Sequence, residues 1–351
     1  MVIERLEDRN LADIRPLLSP RALKTRLPVS EEVADTVLRA RQAIRDAIHG
    51  RDRRRLLVIA GPCSIHDPAA ALDYAGRLAA AARPWADELI VVMRTYFEKP
   101  RTTVGWKGLV NDPHLDGSCD VPAGLELARQ LLLEINGLGL PCATEVLDPF
   151  TPQFLADLLA WASIGARTIE SQTHRQLASG LSMPVGFKNG TSGGLDAARN
   201  AIVAARHRHS FLGITVDGAS AVVNTKGNPD RHLVLRGGES GPNYSAEDVQ
   251  RAAALLAGED LARPVLVDCS HGNSGKDHRR QAGVCREVLK QVRAGSPALL
   301  GLMIESNLEP GAQSWKPGAE LRYGVSITDA CLGFEETADL LAEIAEAVKV
   351  S

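Results

Sequence analysis

The sequence predicts an α/β fold, a (β/α)8 barrel with an N-terminal extension and an inserted β-ribbon, and three observations lead to it. Eight short runs rich in Val, Ile and Leu alternate with longer amphipathic stretches, the form that βα units around a parallel sheet take in sequence. Eight units match a closed barrel. No GxGxxG follows the first run, which argues against an open, doubly wound sheet. A chain of 351 residues that is 44% hydrophobic also has enough apolar side chains for one large domain with additions.

Taken in order, residues 1–50 form the extension, expected to serve assembly or regulation, with one helix from Glu31 to His49. The barrel is expected over 51–351, its strands at Leu56–Ala60, Leu89–Thr95, Cys142–Val146, Arg167–Glu170, Val185–Lys188, Leu233–Arg236, Val265–Cys269 and Leu299–Ile304. Helical patterns lie between them at Ala69–Ala82, Ala123–Ile135, Pro152–Trp161, Leu195–Ala205, Ala246–Leu256, Arg279–Val292 and Glu335–Val348. Residues 211–232 break the repeat. There Phe211–Thr215, a turn at Asp217-Gly218 and Ala221–Asn224 read as a β-ribbon.

A net charge of −3 gives no overall cationic field for nucleic acid. The densest basic run, Arg51-Asp52-Arg53-Arg54-Arg55, abuts the apolar stretch Leu56 to Ala60 and reads as a solvated collar before a buried strand. The amino terminus carries acids where a secretory signal needs a basic start, and no apolar run approaches the roughly 20 residues that span a bilayer. A cytoplasmic location, with no nucleic-acid or membrane partner, is the expectation. Six cysteines scattered without a CxxC pair predict neither a disulfide framework nor a zinc knuckle.

In such a barrel the functional residues sit at the carboxyl ends of the strands. Arg94 ends the second strand and the chain runs on through Lys99 and Arg101; Arg167, Lys188 and Arg236 fall on the fourth, fifth and sixth. Charges there are costly unless paired, so their convergence asks for an anion, best one with both a phosphate and a carboxylate. The first strand leads into Cys63, the seventh into His271, the eighth into Glu305 and on to Asp329. Closure makes those three strands neighbours. Cys63, His271, Glu305 and Asp329 are therefore a candidate metal site, and a mixed S, N and O set suits manganese, iron, cobalt or zinc better than magnesium. His66 and Asp67 read as loop organisers before a helix start.

The motifs Gly61-Pro62-Cys63-Ser64, Lys99-Pro100-Arg101-Thr102-Thr103-Val104-Gly105-Trp106-Lys107-Gly108, Gly165-Ala166-Arg167-Thr168, Gly186-Phe187-Lys188-Asn189-Gly190, Leu235-Arg236-Gly237-Gly238, Ser270-His271-Gly272-Asn273 and Ser326-Ile327-Thr328-Asp329-Ala330-Cys331 together resemble type I 3-deoxy-D-arabino-heptulosonate 7-phosphate (DAHP) synthases, of the short, amino-acid-regulated type. The resemblance spans nearly the whole chain. It implies condensation of phosphoenolpyruvate with D-erythrose 4-phosphate and water, one divalent metal ion per subunit, and a homodimer or homotetramer. It implies Cys63, His271, Glu305 and Asp329 as metal ligands and Arg94, Lys99, Arg167, Lys188 and Arg236 as the phosphoenolpyruvate cradle. Arg101 and Thr102 would hold the aldose phosphate, and Lys99 would donate a proton to the nascent alkoxide. An aromatic amino acid would bind at Pro152, Gln153, Leu181, Ser182, Phe211, Gly213 and Val223, with Asp8 supplied by a neighbouring subunit. Gly213 there favours tyrosine over phenylalanine. Two departures, Glu239-Ser240-Gly241 in place of a shorter segment and Phe334 in place of a common Trp, touch no expected ligand. The rival readings are a synthase using arabinose 5-phosphate, a Schiff-base aldolase with Lys188 as nucleophile, and a non-catalytic sugar-phosphate binding subunit.

Overall fold

The computed structural model describes residues 6–101 and 103–350. Two helices, α1 (Pro20–Arg26) and α2 (Glu31–Ile48), precede the first strand. The chain then runs β1 (Leu56–Gly61), α3 (Pro68–Ala82), β2 (Leu89–Arg94), α4 (Val121–Gly137), β3 (Cys142–Glu145), α5 (Thr151–Leu155), β4 (Trp161–Ile164), α6 (Gln172–Ala178), β5 (Val185–Lys188) and α7 (Asp196–Arg206). It continues through β6 (Ser210–Ile214), β7 (Ser220–Asn224), β8 (Arg231–Leu235), α8 (Ala246–Leu255), β9 (Val265–Asp268), α9 (Gln281–Arg293), β10 (Leu299–Glu305) and α10 (Phe334–Lys349). Eight strands close a parallel barrel in the order β1-β10-β9-β8-β5-β4-β3-β2, and β6 and β7 pair separately as the antiparallel ribbon. This is the (β/α)8 architecture that the alternation predicts.

Period-two alternation along each strand sorts the side chains into two layers. Leu56, Val58 and Ala60 of β1 face the helices, while Leu57 and Ile59 join Ile90, Val92, Ala143, Trp161, Val234, Leu266 and Met303 inside the barrel. Trp161 Nε1 donates to His232 Nε2 at 2.8 Å, a polar pair within that interior. Burial holds the His232 imidazole down at about 4. Ala40, Ile44, Ala47 and Ile48 of α2 pack into the same interior cluster. The helix thus lays its apolar face on the barrel's inner core rather than hanging free of it. Gly301 lets β10 pair closely with β1, since a Cβ there would run into the Leu57 carbonyl, at the point where the register with β9 shifts.

The fourth strand is a correction. Arg167–Glu170 is a turn, closed by Thr168 N–H on the Gly165 carbonyl at 3.1 Å, and the strand is Trp161–Ile164, which the helical pattern had claimed through Trp161. All four of its residues are buried, so its outward positions are as apolar as the helix before it and no change of period marks the switch. The helix itself stops at Leu155, followed by a 3-10 turn over Ala156–Leu158. Two short helices, α1 and α6, also escaped the periodicity, each being only 7 residues long. Asp67 does cap α3, accepting from Ala69 and Ala70 N–H, as its position before Pro68 implies.

Candidate active site

The inward positions that build the core lower down carry charge at the strands' carboxyl ends. Arg94, Lys188, Asp268 and Glu305 close β2, β5, β9 and β10, with Arg236 one residue past β8. All five are buried. Arg94 Nη2 donates to Glu305 Oε1 at 2.9 Å, and its guanidinium lies 3.9 Å from the centre of the Tyr96 ring. Lys188 Nζ donates to Asp268 Oδ2 at 3.1 Å, and the same oxygen stands 3.0 Å from His271 Nδ1. Burial would raise the Asp268 carboxyl, but His271 and then Lys188 outweigh it and hold the group well below the usual carboxylate range.

Cys63, Glu305 and Asp329 each offer a ligand atom within 4.8 Å of the others. His271 reaches this group through Glu305, its Nε2 lying 3.6 Å from Oε1. Three of the four candidate ligands therefore converge directly, and the fourth flanks them. Burial, and then the Glu305 charge, push the Cys63 thiol up to about 12. Burial also works against ionisation of Glu305, yet His271 and Arg94 keep it ionised below its ordinary range. A buried thiol beside a buried carboxylate, with an imidazole and an exposed carboxylate at hand, is a donor set that fits a borderline divalent ion. Ser270 donates to Glu305 Oε2 at 3.0 Å, and Gln281 brackets the Glu305 backbone at 2.9 and 3.0 Å, fixing the carboxylate that faces Cys63.

Lys99 links the two halves. Its Nζ donates to Cys63 Sγ at 3.0 Å and lies 3.7 Å from Asp329 Oδ2. Burial opposes its charge, but Cys63 and Asp329 raise its pKa above the ordinary lysine value. A cavity of about 1220 Å³ opens above this floor, lined by Lys99, Glu145, Arg167, Lys188, Arg236, His271 and Asp329 among others. Arg167 reaches it from the exposed turn after β4 rather than from the strand itself. Arg236 donates from its side chain to the Gly237 carbonyl alone at 3.3 Å, with no acid partner among the described residues. Gly237, at φ 69°, lets the loops after β8 and β9 cross, because a Cβ there would run into the backbone of Gly272. That crossing brings Arg236 beside His271, which is itself held at φ 54°.

Arg101 is exposed, its Nε bonded to the Trp106 carbonyl at 2.7 Å, and Thr102 lies outside the described residues. Of the candidate effector residues, Phe211 pairs with Val223 across the ribbon. Leu181 and the exposed Ser182 follow the end of α6, where Ser179 and Thr225 hydroxyls meet at 2.6 Å and tie that helix to the ribbon. Pro152 and Gln153 lie on α5, against which α1 packs, and α1 holds the ribbon turn through Arg21 and Asp217 at 2.6 Å. Asp8 is exposed, its carbonyl accepting from Leu11 N–H at 3.1 Å.

The sequence reading assigned no role to Asp268, Glu145, Tyr96 or Glu98. Asp268 and Glu145 share the inward parity of Lys188 and Arg236, a signal that could have found them. Glu98 is buried, and burial with the neighbouring Asp148 pushes its carboxyl up to about 8. It accepts from the Thr151 hydroxyl at 3.3 Å, at the first turn of α5.

The sequence profile described as the DAHP synthetase I family matches residues 27–342. The chain is 54% identical over 342 residues to "Phospho-2-dehydro-3-deoxyheptonate aldolase, Tyr-sensitive" of Escherichia coli (strain K12), covering 97% of this chain and 96% of that protein. The same organism's Phe-sensitive protein is also 54% identical, over 343 residues, 98% of this chain and 97% of its own. A Trp-sensitive protein of Enterobacter agglomerans is 53% identical over 346 residues, 99% of each chain. Among solved structures, "Structure of Phospho-2-dehydro-3-deoxyheptonate aldolase from Francisella tularensis SCHU S4" superposes with a TM-score of 0.94 at 47% identity, covering 97% of this chain and 99% of that one.

Proposed function

The chain belongs to the DAHP synthetase I family, and from that premise we propose that it condenses phosphoenolpyruvate with D-erythrose 4-phosphate and water, giving 3-deoxy-D-arabino-heptulosonate 7-phosphate and inorganic phosphate. The enzyme is a transferase at the first step of the shikimate pathway to the aromatic amino acids. The observation that carries the reading is one cavity lined by Lys99, Arg167, Lys188 and Arg236 together with His271 and Asp329, with the buried Cys63 and Glu305 clustered against those last two.

Two phosphorylated anions repel each other, and the cationic wall offsets that repulsion while holding them in register. Proximity of this kind is worth up to roughly 7–11 kcal/mol in favourable cases. Lys99, Arg167, Lys188 and Arg236, with Arg94 beneath them, form the phosphoenolpyruvate cradle, and Arg101 with Thr102 takes the phosphate of the aldose. Cys63, His271, Glu305 and Asp329 would hold one divalent ion, of the manganese, iron, cobalt or zinc type. When bound, such an ion supplies Lewis acidity toward the aldehyde oxygen. C3 of phosphoenolpyruvate forms a bond to the aldehyde carbon, and Lys99 gives its proton to the oxygen that becomes an alkoxide. Water adds at C2 and gives up one proton, which restores Lys99; the hemiketal phosphate so formed loses inorganic phosphate with its bridging oxygen, the hydroxyl proton goes with the phosphate, and C2 becomes the ketone.

Relatives named for tyrosine, phenylalanine and tryptophan sensitivity support feedback inhibition by an aromatic amino acid. The first two are equally identical to this chain, so overall identity does not choose the effector. The choice of tyrosine rests on Gly213, where an added Cβ would stand 2.7 Å from Val223 Cγ2. Without that side chain Val223 keeps its place, and we assign the phenolic hydroxyl to this stretch of the ribbon, with Phe211, Leu181, Ser182, Pro152 and Gln153 around it and Asp8 coming from a second subunit of a homodimer or homotetramer. No helix among the described residues is long and apolar enough to cross a membrane, and we place the enzyme in the cytoplasm.

Release of inorganic phosphate from phosphoenolpyruvate tests the reaction directly. It should require both erythrose 4-phosphate and added divalent metal, with arabinose 5-phosphate a poor substitute. Release that persists in chelator, with borohydride trapping a lysine adduct, would make the protein a Schiff-base aldolase instead.

A further inference from the structure

The basic run Arg51-Asp52-Arg53-Arg54-Arg55 divides by partner in the folded chain. Arg51 bonds Asp46 and Arg55 bonds Asp52 at 2.7 Å, whereas Arg53 and Arg54 form no ion pair among the described residues. They line instead a cavity of about 280 Å³ beside the starts of β1 and β10, at the end of the barrel opposite the active site. A third arginine, Arg263, joins them there from just before β9.

Arg263 is only 8% exposed, yet among the described residues its side chain donates to the carbonyls of Leu299, Arg55 and Asp52 rather than to an acid. Burial lowers its pKa; the Asp52 charge opposes that, and the nearby Arg53 adds to it. Asp52 is the acid closest to hand, but its carboxylate already serves Arg55 and two backbone N–H groups. Three guanidinium groups thus share one recess with, among the described residues, one committed carboxylate, that of Asp52, beside them. A buried cation without a paired anion is costly. The recess also has apolar walls from Leu56, Pro297 and Leu299.

We propose that this recess is a second, independent anion-binding site, which takes a doubly charged group carried on a compact apolar body, a phosphate monoester or a dicarboxylate. The arginine forks meet the anionic oxygens and the leucine and proline walls cover the body. The volume admits a single ring with its anionic group and excludes a dinucleotide. The site shares no residue with the cavity above β5 and β8, so it stands whether or not the proposed reaction does.

Isothermal titration of the full-length protein with phenyl phosphate, and in parallel with phthalate, tests the proposal on three backgrounds. Lys188→Gln/Arg236→Gln removes competition from the active-site cavity, and Arg53→Gln/Arg54→Gln strips the recess at two exposed positions that tolerate the change. Binding of at least one probe should persist in the first variant, weaken at least tenfold when Arg53→Gln/Arg54→Gln is added to it, and weaken as salt is raised. Turnover of the second variant should equal that of the unmodified enzyme, which shows that it folds. If neither probe binds once Lys188 and Arg236 are replaced, or if binding there survives further replacement of Arg53 and Arg54, the recess is no anion site.

Discussion

Lys99 stands 3.0 Å from the Cys63 thiol and 3.7 Å from an Asp329 carboxylate oxygen, with its ammonium raised in pKa against the pull of burial. Its charge is therefore held ready at the seam between the cationic wall and the candidate ligand cluster. Lys99→Met should lower kcat by roughly 10²- to 10⁴-fold, the usual contribution of a positioned acid, while phosphoenolpyruvate binding falls much less; steady-state kinetics with a binding titration checks the split. An unchanged kcat would remove the acid role. His232 offers a second residue-scale test, because it is fully buried and its imidazole is held at about 4. With its folded pKa below the unfolded value near 6.5, the native state binds fewer protons than the unfolded one between those two pH values. The stability this group contributes is present above about pH 6.5 and is lost as pH falls toward 4, by about 3 kcal/mol. Urea midpoints from pH 7 to 4 should fall more steeply for the unmodified protein than for His232→Gln, which keeps an acceptor for Trp161. Parallel slopes for the two would show that His232 does not set the dependence.

At the scale of elements, the strands declare themselves where one face meets helices and the other the barrel interior. Alternation found seven of the eight barrel strands and put Arg94, Lys188, Arg236 and Glu305 at or beside their ends. It failed at Trp161–Ile164 because the preceding Leu158, Leu159 and Ala160 are as buried as the strand, so the helix and the strand run together. Arg167 was placed on a strand and sits on a turn, yet it lines the cavity all the same. The pairing of Lys188 with Asp268 could not be read, since the partners stand eighty residues apart and meet only across the β5, β8 and β9 order. The ribbon was legible from its turn at Asp217-Gly218 and its flanking apolar runs, and it pairs Gly213 with Ala221 while Val223 Cγ2 fills the space that a side chain on Gly213 would take. Gly213→Ser should weaken inhibition by tyrosine at least tenfold and shift the preference toward phenylalanine, as read from inhibition curves with each aromatic amino acid. Unaltered selectivity would take Gly213 out of the effector site.

For the molecule as a whole, closure of the barrel is what makes a site out of distant residues. Pairing of β1 with β10 sets Gly61 opposite Glu305, and so brings Cys63, two residues later, to the carboxylate of a strand some 240 positions away. The loop after β10 then folds back, with bridges from Ser306 to Leu332 and from Gly311 to Cys331, and delivers Asp329 to the same place. Sequence could name these candidate ligands only by assuming that the sheet closes. The apolar face of α2 could be read as amphipathic, but nothing local says that it packs into the barrel's interior cluster. The central claim is that one rim holds an anion on its cationic half and a divalent ion on its thiolate, imidazole and carboxylate half. Manganese binding followed by electron paramagnetic resonance, on the unmodified protein and on Cys63→Ala, tests it most directly. The unmodified protein should bind one ion per chain, and Cys63→Ala should lose at least tenfold in affinity and nearly all turnover while still binding phosphoenolpyruvate. Stoichiometric, tight manganese with full turnover in Cys63→Ala would contradict the account.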